Sequence, residues 1–99
     1  MTKYKKPVIY QEEEPTQRIA LRVTTPDMDP VDAKDPPHKG RTVYWRNPEW
    51  QTQNDALAEW KVNRQAMIPY GMPCKVELII TEERTLQTEL LLEVPYDNT

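Results

Sequence analysis

The positions of ten prolines in 99 residues constrain this chain more than any other feature. A proline lacks the backbone N–H donor, so it breaks helix interiors and central strands. Regular structure can therefore run freely only between prolines, in the stretches 16–25, 38–47, 49–68 and 74–94. A chain of this length is typical of one domain, and we expect residues 1–99 to form a single unit.

The first two stretches predict β-strands. In residues 17–25 the apolar side chains alternate with mostly polar ones and are Ile19, Leu21 and Val23. This alternation is typical of a half-buried strand. Residues 41–46 are rich in aromatic and β-branched side chains and predict another strand. We expect segment 1–16 to be flexible or to add a short edge strand over residues 8–10.

Residues 49–68 predict a helix with a signal at each end. Asn47 is a candidate N-cap, Pro48 suits the first helical position, and Pro69 ends the element. At helical spacing one apolar stripe forms, and it consists of Trp50, Ala56, Leu57, Trp60, Met67 and Ile68.

Residues 74–94 predict a β-hairpin whose register is set by charge. A pairing of Glu82 with Leu86 opposes Lys75 to Glu93, whereas the alternative register opposes two glutamates. Opposite charges across a strand pair are favourable and like charges are not. We therefore predict the first register, with a three-residue loop.

Together these elements predict an α+β fold. We expect a small antiparallel sheet of about four strands, in the order strand, long loop, strand, helix, strand, strand, with the helix packed on one face. Ile79 and Leu91 are predicted to lie on the second face of the hairpin. Apolar side chains there need either a covering layer or a binding partner.

The residues that the chain lacks exclude most familiar enzyme classes. It has no serine for a serine-hydrolase triad, and its two glycines cannot build a P-loop or a dinucleotide fingerprint. One cysteine and one histidine cannot complete a common zinc site, and the aspartate spacing does not match a calcium-binding EF-hand loop. We expect a non-enzymatic protein without metal or cofactor, with a small carboxylate-based enzyme as the remaining enzymatic alternative.

Cysteine content and hydropathy predict the compartment. Cys74 is the one cysteine, so no disulfide can form within the chain, and this favours a reducing environment. No apolar stretch is long enough for a signal-peptide core or a membrane span. We expect a cytoplasmic protein without a membrane partner.

Segment 26–40 is where we expect function, because it holds four prolines and four aspartates that the fold does not need. Long loops in small domains are often functional, and stiff proline-rich segments bind at little ordering cost. We predict a protein–protein interaction module, such as an adaptor, an inhibitor or a small subunit of an assembly, which binds a protein partner or its own copy. The predicted contacts are Asp27, Asp29, Asp32, Asp35, Pro36, Pro37 and His38, together with Ile79 and Leu91.

The alternative function is nucleic-acid binding. Basic residues interleaved with aromatic ones can hold phosphates and stack bases. The net charge of −3 disfavours a polyanion partner. The candidate residues for this alternative are Arg41, Tyr44, Arg46, Lys61 and Arg64.

Overall fold

A computed structural model describes residues 8–30, 34–69, 72–82 and 85–95, which form one antiparallel sheet and one helix. The predicted α+β class is confirmed. The sheet has five strands, in the spatial order β1-β3-β2-β4-β5, and every neighbouring pair is antiparallel. The elements are β1 (Ile9–Gln11), β2 (Ile19–Thr25), β3 (Arg41–Arg46), α1 (Gln53–Met67), β4 (Cys74–Glu82) and β5 (Thr85–Val94).

The core lies between α1 and one face of the sheet. Leu21, Val23, Val76 and Leu78 are at most 1% exposed, because β2 and β4 alternate apolar and polar residues and turn the same set toward the helix. Four members of the predicted apolar stripe, Ala56, Leu57, Trp60 and Met67, lie on the helix and belong to this core or pack against it. Trp50 and Ile68 also contact the core, but they lie just outside the two ends of the helix.

Cys74 lies at the start of β4 on the same helix-side face and is 4% exposed. Burial raises the pKa of its thiol above the ordinary value, because the thiolate would lose its hydration. The side chain therefore acts as a small apolar core residue.

The helix begins later than the sequence predicts. Its N-cap is Thr52, and Thr52 and Asp55 each accept a hydrogen bond from the other's backbone N–H. This capping box satisfies two donors that a helix start otherwise leaves free. The backbone N–H of Gln51, and then that of Thr52, lower the pKa of Asp55 because they stabilise its carboxylate.

Asn47, the predicted cap, instead closes a turn before the helix. Its Oδ1 accepts from the N–H of Glu49 at 2.9 Å, and its carbonyl accepts from the N–H of Trp50 at 2.9 Å. Asn47 is 2% exposed. The prediction of the helix start was wrong because two valid cap signals follow each other, and the capping box of Thr52 begins the helix.

The predicted hairpin register is correct at one end and wrong at the other. Lys75 pairs with Glu93 as expected, but the register shifts between Val76 and Glu77, so Glu82 pairs with Thr85 instead of Leu86. The strands are thus joined by two residues instead of three, and two is the commonest length of a hairpin loop.

This β-bulge makes Leu91 the unpaired extra residue of β5, because Val76 pairs with Leu92 and Glu77 pairs with Leu90. The prediction that Leu91 shares a face with Ile79 was wrong: Leu91 packs against the helix-side core. From Thr85 to Leu90, every side chain of β5 therefore lies on the face opposite to the one that the predicted register gave it. Leu86 and Leu90 therefore lie on the face away from the helix, where they are 55% and 52% exposed.

The face away from the helix carries an ion pair and a small apolar cluster. Arg22 of β2 lies opposite Glu77 of β4, and its Nε and Nη2 donate to Glu77 Oε1 at 3.1 and 3.0 Å. Lys75 Nζ lies 3.9 Å from the other carboxylate oxygen. A small apolar cluster of Ala20, Tyr44 and Ile79 lies on the same face.

Candidate functional site

A cleft of about 640 Å³ opens on the helix side of the sheet. The helix packs chiefly over β2 and β4, whereas β1 and β3 form the other half of the sheet. The cleft lies over that second half, beside the end of α1. Its volume is in the range of pockets that hold a small molecule or a large side chain.

The floor and one wall of the cleft are apolar. Val23, Val43 and Trp45 form the floor, because alternation turns these odd-numbered residues of β2 and β3 toward the helix side. The chain leaving the helix forms the wall. The residues of this wall are Ala66, Met67, Ile68, Pro69 and Met72.

An aromatic pair borders the cleft on the side of β1. Tyr10 lies directly opposite Trp45 in the β1–β3 register, and the two ring centroids are 5.4 Å apart at an interplanar angle of 59°. This tilted arrangement is favourable for two aromatic rings. The indole Nε1 of Trp45 is buried and has no hydrogen-bond acceptor among the described residues. It is therefore a buried donor whose acceptor does not lie among the described residues.

The rim of the cleft is mainly basic. Lys39 and Arg41 line it with His38, and Glu12 is the one acidic residue among the described lining residues. Arg41 Nη1 lies 3.4 Å from Glu12 Oε1, and its guanidinium carbon is 5.9 Å from the centroid of the Tyr10 ring. The side chains of Arg41 and Glu12 are 59% and 63% exposed, so their ion pair contributes little to stability. A carboxylate from a partner can replace Glu12 at small cost.

The segment 26–40 connects β2 to β3, and its two ends are tied together. Met28 and His38 exchange two backbone hydrogen bonds of 2.9 and 3.0 Å, which extends the strand pairing into the loop. The carboxylate of Asp27 accepts from the N–H of Gly40 at 2.6 Å. These bonds fix His38 and the following rim residues relative to the sheet.

Gly40 is required at the base of this loop. A Cβ added there would lie 2.5 Å from the carbonyl oxygen of Thr25 and 2.7 Å from the carbonyl carbon of Pro26. Both are backbone atoms that cannot move aside independently. The close approach lets the side chain of Thr25 accept from the N–H of Arg41 at 3.2 Å and lie 3.5 Å from His38 Nε2.

The seven predicted contacts of the loop have different positions. His38 lines the cleft, and Asp27 holds the loop base together. Asp32 lies outside the described residues. The remaining four are exposed and are not among the described residues that line the cleft; they are Asp29, Asp35, Pro36 and Pro37.

The five predicted nucleic-acid contacts do not form one surface. Arg41 lies on the helix side at the cleft, whereas Tyr44 and Arg46 lie on the opposite face because their numbers are even. Tyr44 is only 9% exposed. Lys61 and Arg64 lie on the exposed surface of the helix. The sequence grouped these residues along the chain, whereas the alternation of the strand places Arg41 on one face and Tyr44 and Arg46 on the other.

Sequence reasoning missed the cleft because it depends on a pairing between distant segments. Tyr10 and Glu12 reach the cleft only because β1 pairs with β3. Trp45 sharing a face with Val43 was the local signal, and it indicates core as well as a binding floor.

Of the other predicted contacts, Ile79 is 3% exposed and offers little surface to a partner.

No family model, no curated protein and no solved structure matches this chain. Within the described ranges, no helix combines the length and the apolar composition needed to cross a membrane. In the same part of the chain, no three histidine, cysteine, aspartate or glutamate side chains come together as a metal site. The geometry of the cleft is therefore the main indication of function in this chain.

Proposed function

We propose that this chain is a non-enzymatic protein-binding module whose cleft takes one large apolar side chain of a partner, next to an acidic group of that partner. The observation that carries this proposal is the combination of an apolar floor with a basic rim in one cleft of about 640 Å³. An aromatic or aliphatic side chain that fills such a pocket is the usual anchor of a protein interface.

Two features of the lining support a peptide as the occupant. Met67 and Met72 have flexible, polarisable side chains that adapt to different apolar shapes. Lys39 and Arg41 favour a carboxylate at the rim.

The lining supports binding rather than catalysis. Its described residues include one carboxylate, that of Glu12, and carboxylate catalysis usually needs a pair. Cys74 is buried in the core, and it is not among the residues that line the cleft with His38. Nucleic-acid binding is the weaker alternative, since its predicted residues are divided between two faces.

A peptide library displayed on phage tests this proposal. Selection is carried out on the wild-type protein, and the enriched peptides are then measured against Ala66→Trp, which fills the cleft from its wall. The matched control is Ala58→Trp, which adds the same bulk at another exposed position of the helix. We expect enriched peptides to place an apolar residue next to Asp or Glu, and to lose at least about tenfold in affinity with Ala66→Trp alone.

Two outcomes would contradict the proposal. One is that enriched peptides bind both variants as well as they bind the wild type, which would locate binding elsewhere. The other is that no peptide is enriched while a mixed-sequence oligonucleotide binds at low salt and dissociates as salt is raised, which would favour the nucleic-acid alternative.

A further inference from the structure

Among the residues that the structure describes, no strand neighbours the outer edge of β5, which is the last strand of the sheet. It is ten residues long, compared with three for β1 at the opposite edge. Natural edge strands are usually short, or carry lysine or proline that prevents pairing with another chain. Residues 85–94 contain neither lysine nor proline. This edge is therefore open to pairing.

The hydrogen bonds of β4 show which groups of β5 face outward. The N–H of Thr81 donates to the carbonyl of Arg18, on the side of β2, at 2.8 Å. Thr81 therefore directs its backbone groups away from Leu86, which lies opposite it on β5. In an antiparallel pair such positions alternate with hydrogen-bonded ones. Leu86, Thr88 and Leu90 thus present their N–H and C=O groups at the free edge.

These three residues also share the face away from the helix. They lie opposite Thr81, Ile79 and Glu77, respectively, which are on that face. Leu86 and Leu90 are about half exposed. Free backbone groups and exposed leucine side chains therefore coincide on one strip of the molecule.

We propose that two copies of this chain form a dimer by antiparallel pairing of their β5 strands, with Thr88 on the two-fold axis. In this register Leu86 lies opposite Leu90 of the second copy, and Thr88 lies opposite its own copy. All these positions have outward backbone groups, so each pair can exchange hydrogen bonds. The two sheets become one continuous sheet of ten strands. A two-fold interface requires such self-complementarity.

The charges of β5 favour this register over its neighbours. With Thr88 on the axis, Glu89 lies opposite Gln87 of the second copy. If the axis moves by one residue to Glu89, that residue opposes its own copy, and like charges directly opposite are destabilising. If the axis moves to Gln87, Leu86 lies opposite a threonine and loses its apolar partner.

The size of the contact predicts its strength. The paired segment runs from Thr85 to Leu91, where the bulge interrupts the strand, and seven residues span about 24 Å. One such strip is narrower than the standard interface of about 800 Å² per partner. We therefore expect a reversible dimer with a Kd in roughly the micromolar range.

Sedimentation velocity of the full chain, from about 1 μM to about 1 mM, tests the dimer. We expect the mass to rise from one chain of 11.7 kDa toward two. Thr88→Pro removes the outward N–H and is expected to remain a single chain throughout, since proline is tolerated where an edge N–H faces solvent. The matched control Thr88→Ala keeps the N–H and is expected to dimerise.

Disulfide trapping tests the register independently of Thr88→Pro. In a Cys74→Ala background with oxidised glutathione as oxidant, Thr88→Cys is expected to cross-link two copies. Opposed hydrogen-bonded residues have Cα atoms about 5.5 Å apart, within the range that a disulfide spans. Leu86→Cys on the same strand is the control, because its own copy lies four residues away in this register, and it is expected to cross-link at least about tenfold more slowly.

A single-chain mass at the highest concentration would overturn the proposal. So would a Thr88→Pro variant that is folded and dimerises as the wild type does. Equal cross-linking of Thr88→Cys and Leu86→Cys would overturn the register. The cleft lies at the opposite edge of the sheet, beside β1, so these results do not depend on the peptide experiment.

Discussion

The two faces of the sheet use the same strands in different ways. On the helix-side face Leu21 lies opposite Leu78, and both are at most 1% exposed. One residue further along each strand, Arg22 lies opposite Glu77 on the other face, where their side chains are 26% and 11% exposed. One face is thus stabilised by apolar burial under the helix, and the other by a charged pair beside the small apolar cluster of Ala20, Tyr44 and Ile79. Alternation along the strands determines which side chains form the main core, while contacts across neighbouring strands stabilise the face that the helix leaves uncovered.

Leucine truncation on each face gives the largest expected difference. Leu78→Ala removes a fully buried side chain and is expected to lower the free energy of unfolding by about 3 kcal/mol. Leu90→Ala, at a position 52% exposed, is expected to lower it by less than about 1 kcal/mol. Urea denaturation measures both, at a concentration at which the chain is monomeric. Equal losses would mean that the two faces are not different in burial.

A double-mutant cycle on the ion pair gives an intermediate effect. Glu77→Met and Arg22→Met each remove one partner, and the double variant removes both. We expect a coupling of about 1 to 2 kcal/mol, because Glu77 accepts two hydrogen bonds from Arg22 in a partly buried position. An exposed pair such as Arg41 and Glu12 is the control and is expected to couple by under about 1 kcal/mol. A coupling near zero for Arg22 and Glu77 would show that apolar packing holds this face too.

The pH dependence of stability gives the smallest effect. Burial raises the pKa of Cys74, so the folded protein holds the thiol proton more tightly than the unfolded chain does. The resulting stabilisation is fully present below the unfolded pKa, ordinarily near 9.0, and is lost as the pH rises through the folded pKa. Urea denaturation between neutral and alkaline pH is expected to show this loss in the wild type and less of it in Cys74→Ala. Identical pH profiles would contradict a buried thiol.

Thiol reactivity also distinguishes the two faces of the sheet. Cys74 is expected to react slowly with a thiol reagent in the folded state, because its sulfur is buried on the helix-side face. The matched control is Thr81→Cys in a Cys74→Ala background, which places the thiol at an exposed position on the other face of the same strand. It is expected to react much faster. Similar rates would mean that the core opens readily.

The fold was predictable because its signals are local. Alternation in β2 and the apolar stripe of α1 identify the core, and the prolines limit where helices and strands can lie along the chain. The start of the helix was also encoded locally, in Thr52 and Asp55, but Asn47 and Pro48 gave an earlier signal of the same kind. A cap forms where the following residues can complete it, so single cap residues do not decide between two such signals.

The candidate site was not predictable, because it depends on contacts between distant segments. Tyr10 meets Trp45 through the pairing of β1 with β3, and no periodicity near residue 10 indicates that partner. The face of Leu91 was mispredicted for a related reason. A bulge adds one residue to a strand without changing the apolar pattern around it, and the correct pairing of Lys75 with Glu93 gave no sign of it.

The bulge at Leu91 also has a consequence for how this sequence can vary. Deletion of Leu91 would make the pairing of β4 with β5 regular, yet every other pair, from Cys74 with Val94 to Glu82 with Thr85, would be kept. Only the packing of Leu91 itself against the core would be lost. Position 91 is therefore a place where the chain can lose one residue and still fold to the same topology, whereas a deletion within residues 85–88 would exchange the faces of at least two side chains.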